Sequence, residues 1–279
     1  MGKTGFKTNL EALKREFYLR RIDTDRAGFY DEPNFLSAER ANPSFLENYA
    51  AYVELRGYSE EYLVKAKEEI PFIVKLLLNE LLSDGRLGAC VDISQVLGRI
   101  LEREGFWNYQ VKGSLTIKFP PEATLKNRYF WSVDTIQYAA AHAWVISPPF
   151  NIIDITIRQQ PYSHGEEKWL PNFVIHSDYK SCKIQDEDLI SPESRMLMKL
   201  QGYKEPLVKY TKENFASFVK IFKANLVEIA GVRFKYIPVG ISVSEHPLEH
   251  ITSLNLSGRV GLEIYNDLIK PKLAEFRKL

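Results

Sequence analysis

Apolar residues recur along this chain in two rhythms, and each predicts a different kind of element. Ile93, Val96, Leu97, Ile100 and Leu101 fall at spacings of three and four, which marks one buried face of a helix. Leu10, Leu13 and Phe17, and then Leu63 through Leu82, carry the same spacing. Residues 1–84 therefore read as a helical N-terminal region, with Pro71 placed to begin a fresh helix. Asp31-Glu32-Pro33-Asn34 and Asn42-Pro43-Ser44 punctuate it as turns.

After residue 109 the rhythm shifts toward strands. Gln110–Phe119 is predicted extended, and a long connection, Pro120–Asp134, follows it. Ala143-Trp144-Val145-Ile146 and Ile152–Ile157 are short, partly β-branched runs around the turn chemistry of Ser147-Pro148-Pro149-Phe150-Asn151, so they predict a hairpin. Further on, residues 159–194 are loop-rich, Thr211 is placed to cap a helix over Glu213–Ala230, and Val232–Val239 reads as a strand. Val260–Phe276 reads as a last helix broken at Pro271. The predicted class is α+β. Three blocks are expected: a helical N-terminal region (1–84), a core (85–160), and a C-terminal extension completing that core (161–279).

Candidate chemistry sits at defined points of this frame. Gly85-Arg86-Leu87-Gly88-Ala89 is a tight approach to Cys90, which heads a helix expected to stop near Gly105. There the unpaired N–H groups and the positive end of the helix dipole favour a thiolate. His142 opens the first hairpin strand, and Asp154 is the single charge in the apolar second strand. A hairpin centred on Pro148 places the two directly opposite on one face, in reach of each other. Singly, each has an ordinary reading: a small buried cysteine, a satisfied core histidine, a capping acid. Together they supply a nucleophile, a base and a group to orient the base.

Gly88-Ala89-Cys90 leading a helix, then His142-Ala143-Trp144-Val145, then Ile153-Asp154-Ile155-Thr156, resembles the transglutaminase-like branch of the papain-like cysteine enzymes. The resemblance covers roughly residues 80–160. It implies a papain-like core, with the cysteine helix packed on an antiparallel sheet, and assigns Cys90, His142 and Asp154 as catalytic triad. It further implies a thioester intermediate on a protein or peptide substrate, resolved by water (protease, amidase or deamidase) or by an amine (cross-linking transferase). Trp144 is a candidate wall of the substrate cleft, and no cofactor or metal is implied. The family's oxyanion-hole Gln or Trp has no match upstream of Cys90, where Asp84 and Arg86 stand. Arg86-Leu87-Gly88-Ala89-Cys90 is also similar to the arylamine N-acetyltransferases, although Leu87, Val91 and Asp92 depart from their signature. A non-catalytic binding protein on the same fold is the third reading.

Composition narrows the picture further. A hydrophobic content of 45% and a charged content of 26% describe a globular chain rather than a disordered one. A net charge of +1 argues against a nucleic-acid partner. Two cysteines make no disulfide framework, Met1–Phe6 lacks the apolar core of a signal peptide, and Phe6 breaks the myristoylation pattern. Ile70–Leu82 is too short to span a bilayer and carries Lys75. A cytoplasmic protein without membrane contact is expected. Weaker candidates are His246 and His250 at metal-ligand spacing, read as a surface turn, and Cys182 near His176 and Asp178, read as a free loop thiol. Tyr129-Phe130-Trp131 reads as core or lid packing. Trp107 and Trp144 are expected around the cysteine helix, and Arg99 is expected on its exposed face.

Overall fold

A computed structural model describes residues 9–134, 137–138, 141–211 and 215–278, so the reading of Met1–Phe6 and the predicted helix start at Glu213 lie outside the described residues. Four helices come first: α1 (Leu10–Leu19), α2 (Pro33–Ala41), α3 (Leu46–Leu55) and α4 (Glu60–Asp84). Pro71 begins no new helix, because α4 runs through it without interruption. The cysteine helix α5 spans Cys90–Arg103. Its end is set by Gly105 in the left-handed region (φ +84°), where Gly105 N–H donates to Glu102 and Phe106 N–H to Leu101.

The antiparallel sheet follows. It is built from β1 (Tyr109–Lys118), β2 (Arg128–Phe130), β5 (His142–Ser147), β6 (Phe150–Asp154), β7 (Val174–His176), β8 (Asn225–Ile229) and β9 (Val232–Ser242). Their order is β7-β6-β5-β1-β9-β8, with β2 on the end of β1. Two ribbons lie apart, β3–β4 (Val133–Asp134, Gln137–Tyr138) and β10–β11 (Asn255–Leu256, Arg259–Val260). The chain leaving edge strand β7 crosses to the other edge and bridges it, Ser181 to Asn225, with Leu226 N–H donating to the Lys180 carbonyl. The sheet is thus nearly closed on itself, which protects both edges.

The two faces of this sheet hold different cores. Val111, Leu115, Trp144, Ile152, Phe234 and Tyr236 point inward and merge with Phe17, Phe29, Phe35 and Tyr49 of the N-terminal region. Outside, Val145, Ile153 and Ile155 meet the apolar faces of α4 and α5, and the helical segment 261–276 covers these in turn. Sequence alternation along β5 decides this split, since His142, Trp144 and Ile146 share one face and Ala143 and Val145 the other. Trp107 and Trp144 belong to the inner core; Trp107 also lines a recess with Arg99, Glu102 and Arg103 of the cysteine helix, while Trp144 is on the other face of β5 from the one that meets it.

Several further expectations need correction. Within the described residues of the predicted helix Glu213–Ala230, the helix is Phe215–Ile221 (α8), and Asn225–Ile229 is strand β8, because these residues pair with β9 at the sheet edge. The Thr211 hydroxyl closes the preceding turn by donating to the Val208 carbonyl. The last helix is not broken at Pro271: α9 (Gly261–Glu263) continues through a π-helical segment, Ile264–Ile269, into α10 (Lys270–Phe276). Residues Asp186–Leu189 (α6) and Pro192–Leu200 (α7) complete the helices. Among the described residues, no helix is long and apolar enough to cross a membrane.

Arg99 is the largest departure, being buried rather than exposed. Its guanidinium donates to Asp31, to Glu102, and to the carbonyls of Ser244 and His246, so one side chain ties α5 to the N-terminal region and to the segment after β9. Tyr30 OH donates to the other oxygen of Glu102. Removing one partner of such a buried pair costs about 3–5 kcal/mol. Burial pushes the Glu102 carboxyl up to about 7, against the pull of Arg99 and Tyr30.

Two outcomes follow from this packing. Gly113, opposite His142 in β1, has no room for a methyl group: a Cβ would meet the Ile237 carbonyl and lie 2.7 Å from the Trp144 ring. Gly113→Ala should lower stability by about 3 kcal/mol in urea unfolding. Glu102 binds its proton more tightly folded than unfolded, so stability falls as pH rises from about 4.5 to about 7 and is flat above. The loss is on the order of 3 kcal/mol, and Glu102→Gln should remove that slope.

Candidate active site

The local fold delivers Cys90 and His142 to the same place. Gly88 takes a left-handed φ of +73°, and its N–H donates to the Gln159 carbonyl at 2.8 Å, which turns the chain into α5 with Cys90 at the first helical position. Ala89 at the N-cap offers no side-chain acceptor, so it leaves the first-turn N–H groups of α5 uncapped. Helix α5 packs across β5, the strand that His142 opens. The Ala143 N–H is among the groups that stabilise the ionised form of the Cys90 thiol.

His142 and Asp154 have no exposed surface, and His142 Nε2 lies 2.7 Å from Asp154 Oδ2. The expected register is off, however. Val145 faces Ile153 and Ser147 faces Phe150, with an irregularity between them. That pairing places Asp154 beside Trp144 and His142 two residues further along, so the imidazole reaches the carboxylate diagonally. Both side chains still share the inner face, because a shift of two residues preserves facing.

Asp154 is fully provided with donors. Besides His142, it accepts from Tyr236 OH at 3.0 Å, Thr156 N–H at 3.0 Å and Thr156 Oγ1 at 3.3 Å. The Asp-x-Thr spacing is therefore a local turn in which the acid is held by the residue two ahead. Tyr236 was not singled out in the sequence; it comes from β9, 82 residues away, and only its place on the inner face of Val232–Val239 hinted at it.

The other imidazole nitrogen, Nδ1, is buried and has no partner at full hydrogen-bonding geometry. The imidazole and the Cys90 thiol interact, each stabilising the charged form of the other. Each group shifts the other. Burial opposes ionising Cys90, but the imidazole and the Ala143 amide outweigh it, and the thiol's pKa drops below its ordinary value. Burial also opposes a charged imidazole, yet the Asp154 carboxylate, with Cys90 assisting, pushes His142 up to about 10. Both directions favour a thiolate–imidazolium pair over two neutral groups.

Aromatic rings surround the imidazole. Phe130 from β2 lies 5.6 Å from it and Trp144 6.3 Å, centroid to centroid, and Tyr162 packs edge-on against Phe130. Trp144 is itself buried, T-shaped against Tyr236 at 5.1 Å, and backs the imidazole from inside the sheet. On its other side Trp144 walls a recess of about 220 Å³ that it shares with Glu54 and Tyr109. Of the aromatic triplet, only Phe130 meets His142, while Tyr129 and Trp131 stack on each other.

The remaining candidates lie elsewhere. Asp84 and Arg86 pair loosely with each other at 3.8 Å, and Asp84 accepts the Ser257 N–H. His250 ends a single 3-10 turn, while the His246 carbonyl serves Arg99. Among the described residues, no group of His, Cys, Asp and Glu could hold a metal ion. Cys182 is half-buried in the strap after β7, and burial pushes its thiol up to about 11. No protein-family model, curated protein or solved structure matches the chain.

The thiol pKa directions make a test by alkylation with iodoacetamide. Cys90 should reach half its limiting rate below pH 9, the ordinary thiol value, and His142→Ala should move that midpoint upward. A further change in rate is expected near pH 10, where His142 loses its proton. Cys182 should react appreciably only at higher pH. Mass spectrometry of the labelled peptides separates the two cysteines.

Proposed function

We propose that this chain is a thiol-dependent enzyme acting on amide or acyl groups, with Cys90 as nucleophile, His142 as general base and acid, and Asp154 as the group that fixes and charges the imidazole. The observation that carries the reading is a buried imidazole bonded through one nitrogen to a saturated carboxylate, its other nitrogen without a hydrogen bond, and its charge coupled to a thiol at a helix N-terminus. A core histidine needs no such partners. The helix packed on an antiparallel sheet is compatible with the papain-like, transglutaminase-type core, and the reading adopts that core.

The chemistry follows from the pair. The Cys90 thiolate attacks a carbonyl carbon and forms a C–S bond, and the resulting oxyanion is met by N–H groups at the start of α5, that of Cys90 among them. Collapse of the tetrahedral species breaks the C–N or C–O bond, and His142 Nδ1 passes its proton to the leaving amine or alcohol. A thioester remains on Cys90. Water or an amine then attacks it, giving its proton back to His142 and releasing acid or a new amide. Asp154 keeps its four hydrogen bonds throughout and holds the ring plane, as the orienting carboxylate does in triads generally. A protein or peptide supplies the acyl group in this reading, with Phe130 at the imidazole as one wall of its cleft.

Trapping the thioester or its analogue tests the assignment. A peptidyl electrophile should modify Cys90 in the wild-type protein and leave the Cys90→Ala protein unlabelled, while Cys182→Ala labels as wild type. Turnover of an activated acyl ester should vanish in Cys90→Ala and fall by about a hundredfold or more in His142→Ala. Transfer from acetyl-coenzyme A to an arylamine, lost in Cys90→Ala, would move the assignment to the arylamine N-acetyltransferase type. A thiol inert to every acyl probe at neutral pH would leave a binding protein.

A further inference from the structure

A second concave site lies on the outer face of the sheet, between β1, β9 and β8 and the strap that carries Cys182 to Gln185. It encloses about 310 Å³ and is lined by Lys118, Lys183, Arg233 and Lys235, with no carboxylate in its lining. The molecule as a whole carries a charge of only +1, so four cations around one cavity are a local concentration.

Register shows that this is a costly arrangement. Lys118 sits directly opposite Arg233 across β1 and β9, and like charges so placed repel. Arg233 has Glu228 on its other side, but that ion pair is exposed at both ends and worth little. Lys235, one layer along, is buried and fixed: Nζ lies 2.7 Å from Asp188 Oδ2 and 3.2 Å from the Lys183 carbonyl. Asp188 is already spent on Lys235, on Thr116 Oγ1 at 2.9 Å and on the Gln185 N–H at 2.9 Å. It neutralises Lys235 and leaves Lys118 and Lys183 to face the cavity with their charge uncompensated there. Leu226 supplies an apolar wall beside them.

We propose that this cavity binds a small organic phosphate. Lys118, Lys183 and Arg233 take the phosphoryl oxygens, and the carbon portion lies against Leu226. A dianionic phosphoryl group removes the Lys118–Arg233 repulsion, and charge-assisted hydrogen bonds to its oxygens supply the affinity. The volume is at the lower end of small-ligand pockets and exceeds what a bare phosphate ion needs, which favours an ester over the free ion. The site is independent of the triad reading, since none of its residues touches Cys90, His142 or Asp154.

Calorimetric titration of the full chain with phenyl phosphate, at ionic strength held constant with sodium chloride, tests this directly. Saturable binding is expected, weaker by about tenfold in Lys118→Gln and again in Lys183→Gln. Inorganic phosphate should bind more weakly than the ester; equal binding of both would overturn the organic part of the proposal. Lys183 is exposed and its substitution leaves the fold alone, so it serves as the control for any Lys118 variant that folds poorly. Without ligand, Lys118→Gln should melt at or slightly above the wild-type temperature, because a repulsion is removed. No saturable binding, or unchanged affinity in the Lys118→Gln, Lys183→Gln double variant, would overturn the site.

Discussion

A carboxylate with no contact with water must find every hydrogen bond inside the protein, and Asp154 sets this demand for the whole structure. Its donors arrive from three directions: His142 on β5, Tyr236 on β9, and Thr156 just beyond its own strand. Satisfying it requires that β6, β5, β1 and β9 lie side by side in a single register. The geometry around Asp154 and the sheet geometry are therefore one constraint, and a strand that slipped by one residue would strand a buried charge. Such a penalty, several kcal/mol for an unpaired ion, is large against the total stability of a folded domain.

Cys90 is held by a separate device. Helix α5 is fixed at its start by the Gly88–Gln159 bond and along its length by Arg99, whose guanidinium reaches the N-terminal region and the segment after β9 together. Apolar packing holds the helix on the outer face of the sheet, where Val145 of β5 and Ile153 of β6 join its core. Polar bonds then fix the helix against sliding. Because Gly113 leaves space for Trp144 to lie against β1, the ring behind His142 also sits close to the backbone.

Much of this was legible in the sequence because it is local. Helix α5, its glycine stop, the hairpin strands, and the solitary charge of Asp154 all follow from spacing and turn chemistry within a few residues. What escaped depends on the other side of an element. Arg99 looked like a surface residue because nothing nearby in sequence says that Asp31 and residues 244–246 will cover it. Trp144 was assigned to the wrong face because alternation along β5 gives two faces but does not say which meets α5. The hairpin register moved because an irregularity between Val145 and Ser147 shifts the pairing. Strand β8 hid behind helical spacing, since Leu226 and Val227 suit either element and only pairing with β9 selects one.

The position of β9 has a consequence for how the protein comes to exist. Chain synthesis runs from the N-terminus, so Cys90, His142 and Asp154 are all made well before Tyr236 and before the carbonyls of Ser244 and His246 that receive Arg99. Until β9 inserts between β1 and β8, the carboxylate lacks one of its donors, α5 lacks an anchor, and β1 has an open edge. The nascent chain thus carries a thiol that lacks its finished setting. Completion of the sheet is the event that brings the last donor to Asp154 and the last anchor to α5, so the setting of the thiol is finished only when β9 is in place.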